Sequence, residues 1–199
     1  MFKSGKFVSK YVTQEDGSKV PDEQIQPHGV ELSIDTVFHV DGYAVIKDGD
    51  YSKGSRTEAE YVEGPDEVAT GKHTDDLDKA LDGISMHEYD TDEVLKFEND
   101  IYALEPRPYV IRYNETIEIP HDHVGFVFPR SRLMRANNHL STAVWDSGYK
   151  GRGEGGLHIN TPTLLEKDMR IGQILMCRAD VMNQYNGSHQ GENINENDS

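Results

Sequence analysis

Cysteine is nearly missing from this 199-residue chain: Cys177 stands alone, so no disulfide can form within it and a reducing compartment is expected. Its place in the apolar run IGQILMC suggests a buried structural thiol rather than a nucleophile. Long hydrophobic runs are missing too. No apolar stretch approaches the roughly 20 residues of a membrane-spanning helix, and MFKSGKFVSK lacks the apolar centre of a signal peptide. A soluble, cytoplasmic protein is the expectation. Positive charge is scarce, with 20 Lys and Arg against 36 Asp and Glu, a formal charge of −16. That balance argues against bare nucleic acid or an anionic membrane as a partner.

The acid excess is concentrated. Residues 48–100 hold 17 acids and 5 Lys or Arg, whereas the rest of the chain holds 19 and 15. The segment therefore reads as an acidic insertion on a nearly balanced single domain spanning 1–199, which is as much core as this length supports. Solubility in concentrated salt is one reason for such a surface, because at 1 M the screening length falls to about 3 Å and self-repulsion weakens. A halophilic setting is thus one expectation, and a partly disordered acidic loop the other.

Short apolar or alternating runs recur between turn residues: GVELSIDTVFHV (29–40), YAVIK (43–47), IYALEP (101–106), PYVIRYNETIEIP (108–120), VGFVFP (124–129), GLHIN (156–160) and DMRIGQILMCRADV (168–181). This pattern predicts an all-β sandwich, jelly roll or barrel. Short helices are expected only near Arg130 to Asn137 and around Asp75 to Leu81. The polar tail beyond Tyr185 is expected to be mobile unless a ligand orders it.

Three groups of residues could carry chemistry. Arg130, Ser131, Arg132 and Arg135 follow the apolar run VGFVFP, and the planar guanidinium fork suits phosphate oxygens. The alternative is salt bridging to the acidic surface. TAVWDSGYKGRGE (142–154) holds one acid, Asp146, on a Gly-rich turn with Arg130, Arg135, Lys150 and Arg152 before and after it. Such an acid can orient a water while cations hold a polyanion, and an ordinary hairpin is the competing reading. Trp145 reads as core, and Tyr149 as a ring that could lie on a sugar or base. Arg170 and Gln173, three apart on a strand, should face opposite ways unless a bulge intervenes. His121 and His123 lack any accompanying ligand pattern and read as structural or solvent-facing.

Taken in order, QPHGVELSI (26–34), PRSRLMR (129–135), TAVWDSGYKGR (142–152), DMRIGQIL (168–175) and YNGSHQGEN (185–193) resemble the five motifs of the dUTPase and dCTP deaminase superfamily, most closely its archaeal dUTPase branch. The resemblance implies a β-rich, jelly-roll-like β-clip subunit, a homotrimer with sites shared between chains, and Mg²⁺ bound chiefly through the nucleotide triphosphate. It implies that Asp146 activates water for attack on the α-phosphorus of dUTP, giving dUMP and pyrophosphate. Arg130, Ser131, Arg135 and Gln173 would hold phosphates, Tyr149 would pack on the deoxyribose, and Tyr185 and Gln190 would lie on a C-terminal lid (about 185–199). Glu31 stands where an acid contacts the metal through water, and Arg132 where a small hydroxyl residue is common. Relatives that deaminate dCTP carry a glutamate ten residues after the motif-three aspartate, and here that position is Gly156. Glu154 leaves a deaminase or bifunctional reading open, and a non-catalytic nucleotide-binding trimer is a further alternative.

Overall fold

The strand Gly29–Asp41 organises the molecule, and its sequence accounts for this. β-Branched and aromatic residues dominate it, with Val30, Leu32, Ile34 and Val37 fully buried. In this computed structural model, which describes residues 1–42, 44–47, 50–61, 68–69, 94–95 and 100–194, the strand pairs antiparallel with Pro108–Tyr113 along one edge. Along its other edge it pairs with Arg170–Arg178 and, further on, Ser55–Glu58. The sheet continues outward through Glu154–His158 to His139–Ser141 on one side, and through His123–Pro129 to Val144–Trp145 on the other. Nine strands join this sheet among the described residues, and a smaller one combines Val12–Thr13, Thr116–Glu118 and Lys150–Gly151.

The mostly β architecture and the strands at 29–41, 123–129 and 170–178 match the sequence reading. So does the short helix Ser131–Arg135. The helix expected around Asp75 to Leu81, and most of the acidic insertion, lie outside the described residues. Cys177 departs from expectation: it is half-buried, and its backbone forms a β-bridge with Phe2.

Because residues 29–34 of the Gly29–Asp41 strand are buried in succession, its polar members there need partners inside the protein. Ser33 finds one in Glu115, which is fully buried and accepts from Ser33 N (2.9 Å), Ser33 Oγ (2.8 Å) and Gln24 Nε2 (2.6 Å). Burial raises the Glu115 pKa, while the hydrogen bonds from Ser33 and Gln24 act the other way. A carboxyl that holds its proton more tightly when folded gives a stabilisation fully present below its ordinary value of 4.5 and lost as pH rises through the raised one. Glu115→Gln would turn an amide donor toward these donors, at an expected cost of about 1–3 kcal/mol. Denaturant titrations at several pH values should show the gap to wild type widest in acid and narrowing toward neutrality.

Candidate active site

Asp146 heads a four-residue turn closed by Tyr149 N donating to the Asp146 carbonyl (3.1 Å). Gly148 occupies the third position with φ +84°, where a type II turn requires glycine. Ser147 Oγ, itself buried, ties the turn to the His123 carbonyl. The stretch is not a hairpin closed on itself. Val144–Trp145 pairs with His123–Pro129 in the large sheet, whereas Lys150–Gly151 pairs with Thr116–Glu118 in the small one. The turn thus bridges two sheets and leaves the Asp146 side chain exposed.

Trp145 and Tyr149 pack behind it, edge to face at 5.1 Å, and Tyr149 packs in the same way on Tyr185 at 5.7 Å. The glycines of GRGEGG make room for these rings, since a Cβ on Gly153 would lie 2.1 Å from Trp145 Cη2. Gly153→Ala is therefore expected to cost about 1–3 kcal/mol through overpacking. A thermal melt following Trp145 fluorescence would read the loss.

The tail docks on this turn within its own chain. Tyr149, only 5% exposed, donates from its hydroxyl to Glu192 Oε1 (2.9 Å), and burial, then the Glu192 carboxylate, raise its pKa. Gln190 Nε2 donates to the Gly148 carbonyl (3.1 Å) and Gln190 Oε1 accepts from Lys150 N (3.3 Å). Tyr185 N donates to the Ser147 carbonyl (2.7 Å), so the segment 185–194 lies across the turn that carries Asp146. Asp146 is a wall common to two clefts. One, of about 130 Å³, includes Tyr149, Glu154, Tyr185 and Glu192; the other, of about 600 Å³, runs along residues 179–186.

The cations expected around Asp146 are elsewhere. Arg152 is buried (5% exposed) against Glu15 (2.6 Å) and Asp35 (3.0 Å), and Lys150 pairs with Glu118 (3.0 Å). Arg130, Ser131 and Arg135 sit beyond the far end of the His123–Pro129 strand. Leu133, buried there, anchors the helix, which ends in a Schellman pattern: Asn137 at φ +61°, with Asn138 N bonded to the Leu133 carbonyl and Asn137 N to that of Met134. Arg135 Nη1 donates to Ser131 Oγ (3.1 Å), and Ser131, Arg132 and Arg135 are exposed.

Arg130 reaches inward instead, placing Nε 2.7 Å from Glu31 Oε1, and Arg170 Nη1 lies 3.0 Å from Glu31 Oε2. Burial lowers the Arg130 pKa, Arg132 and Arg170 act in the same direction, and Glu31 opposes them. Gln173 stands opposite Glu31 in register and donates to the His28 carbonyl. A register shift between Arg170 and Gly172 buries Ile171 and Gly172 in succession, so Arg170 and Gln173 share an outward face.

The site residues thus form two groups: Glu31, Arg130, Ser131, Arg135 and Gln173 at one end, and Asp146, Tyr149, Tyr185 and Gln190 at the other. Gly125 pairs with Trp145 and Pro129 with Gly172, so Asp146 and Arg130 are separated along one strand by roughly 20 Å at about 3.4 Å per residue. Sequence reasoning missed Glu192 and also Arg56, which pairs with Glu154 at 2.6 Å from the strand Ser55–Glu58. Glu192 lies within YNGSHQGEN, whereas only charge could have flagged Arg56. His123 is buried, stacked on Phe7 and bonded to Asp122, which makes the HDH run structural at that position.

Fold and site together define a mostly β protein with an arginine-rich edge and a separate acid-bearing aromatic cleft. The chain belongs to the dCTP deaminase-like family, which matches residues 2–179. It is 34% identical over 193 residues, 96% of this chain and 95% of the relative, to a protein of Halobacterium salinarum named probable deoxyuridine 5'-triphosphate nucleotidohydrolase. A Methanocaldococcus jannaschii protein named deoxyuridine 5'-triphosphate nucleotidohydrolase is 30% identical, with 85% of this chain and 89% of that protein covered. Among solved structures, the 2'-deoxycytidine 5'-triphosphate deaminase of Agrobacterium tumefaciens superposes with a TM-score of 0.50 at 16% identity, over 88% of this chain and 47% of that one. This last likeness concerns the fold.

Proposed function

We propose that this protein is a dUTP diphosphatase, hydrolysing dUTP to dUMP and pyrophosphate in the cytoplasm. The observation that carries the reading is the setting of Asp146, exposed at the head of a turn fixed on both sides and backed by Tyr149. In the step proposed, Asp146 accepts a proton from water as the water oxygen bonds to the α-phosphorus. The bond from that phosphorus to the α,β-bridging oxygen breaks, and pyrophosphate leaves.

Phosphates need the arginine edge, which within one chain lies roughly 20 Å along the strand from Asp146. A second copy supplies it in a homotrimeric, jelly-roll-like assembly. Phe128, Met134 and Val144 support this, being 53%, 56% and 57% exposed near the sheet edge that separates the two groups. Tyr149 meets the deoxyribose once Tyr185 and Glu192 lift, and Gln190 recloses the tail as a lid.

The family resemblance also implies Mg²⁺ on the triphosphate, where it would offset phosphate charge. Glu31, the acid expected near it, faces Arg130 and Arg170, and no cluster of three His, Cys, Asp or Glu suited to a metal occurs among the described residues. No step here runs through a protein-bound metal.

Hydrolysis without deamination is favoured at Gly156 and Glu154. A Cβ at Gly156 would meet nothing nearer than 3.6 Å, so packing does not demand glycine there, and Glu154 is held by Arg56. Incubation with dUTP and with dCTP, with Mg²⁺ at low and molar salt, tests the proposal. Pyrophosphate from dUTP and no ammonia from dCTP are expected. Ammonia would establish the deaminase reading, and nucleotide binding without pyrophosphate release the non-catalytic one.

A further inference from the structure

We infer that Glu31 is a positioning residue that holds Arg130 and Arg170 together as one anion-binding unit, and does not serve as a contact to a metal. This rests on the nucleotide-hydrolase reading for its substrate, but its geometry stands independently. Glu31 is 4% exposed in the covered part of the Gly29–Asp41 strand, so its charge requires partners in place. It has two: Arg130 Nε on Oε1 at 2.7 Å, and Arg170 Nη1 beside Oε2 at 3.0 Å, close without hydrogen-bond alignment.

Both arginines are fixed from behind. Arg130 N bonds to the Ile171 carbonyl (2.9 Å), Arg130 Nη1 to the Arg170 carbonyl (3.3 Å), and Arg170 Nη1 to the Glu23 carbonyl (2.8 Å). The bulge at Ile171 is what turns Arg170 toward this face. Without the carboxylate, two guanidinium groups at close range would repel and spread apart. With it they hold a set orientation. Fixing the fork in advance lowers the ordering cost of binding a phosphate. A carboxylate already facing two cations is poorly disposed to a third, so a metal role is disfavoured for the same reason.

The test is calorimetric titration of wild type, Glu31→Gln and Glu31→Asp with inorganic pyrophosphate in EDTA, together with the Mg²⁺ concentration that gives half-maximal dUTP hydrolysis. Circular dichroism checks folding. Glu31→Gln is expected to bind pyrophosphate about tenfold more weakly or worse, with the Mg²⁺ requirement unchanged. Glu31→Asp, which keeps the charge but is too short to span both arginines, should also bind more weakly, and it carries the test if Glu31→Gln does not fold.

Unchanged or tighter pyrophosphate binding with a raised Mg²⁺ requirement would overturn the inference, as would a wild type that binds no pyrophosphate. A wild type that binds pyrophosphate in a Glu31-dependent way yet releases none from dUTP would uphold it and sink the hydrolase reading.

Discussion

Asp146→Asn is expected to lower kcat for dUTP hydrolysis by about 10² to 10⁴, while the Kd for dUTP stays near its wild-type value. The size of the effect reflects proton transfer, since an amide keeps the shape of the side chain but does not take a proton from water. The selectivity follows from how little the carboxylate does for the fold. Among the described residues it makes no hydrogen bond or ion pair, and the turn uses only the Asp146 carbonyl, which asparagine retains. A thermal melt should therefore be unaltered. Pyrophosphate release gives kcat and KM, and calorimetry gives Kd. Wild-type turnover by the variant would remove Asp146 from the mechanism.

The second large effect concerns two inactive variants combined. Arg130→Ala and Asp146→Asn should each be nearly inactive alone, yet co-assembly after denaturation and refolding in equal amounts should restore activity. A site that draws its acid from one copy and its arginine from another is intact when both happen to be wild type at those positions. Random mixing makes that about a quarter of sites. If one chain supplied both groups, every chain in the mixture would lack one of them and no activity would return. The roughly 20 Å between the two groups, inferred from strand register, makes recovery the expected result.

Much of the fold was legible because its strands are apolar or alternating runs bounded by turn residues, as in the Gly29–Asp41 and Arg170–Arg178 strands. The proposed site residues come from five ordered motifs, which the fold gathers into two groups. What the sequence concealed depends on pairing over long separations. Glu115 meets Ser33 and Gln24 across 82 and 91 positions, and nothing in NETIE shows that its acid is buried. Arg152 looked like a cation beside Asp146, but the register of Lys150–Gly151 against Thr116–Glu118 carries the following residue inward to Glu15 and Asp35. The bulge at Ile171 reversed the simple alternation that would have set Arg170 and Gln173 on opposite faces. The tail from Tyr185 onward is polar in composition, and its docking depends on Tyr149, Gly148 and Lys150, which only the folded chain brings within reach.

The acid excess sits mostly in the segment 48–100. Its strand Ser55–Glu58 adds to the main sheet, and Arg56 on it holds Glu154, a wall of the Asp146 cleft. That segment is therefore joined to the Asp146 cleft through at least one ion pair.

The most direct test of that chemistry is hydrolysis of dUTP in ¹⁸O-labelled water, followed by mass analysis of both products. Attack at the α-phosphorus predicts one labelled oxygen in dUMP and none in pyrophosphate. Label in pyrophosphate, release of inorganic phosphate alone, or no turnover of dUTP would contradict the account.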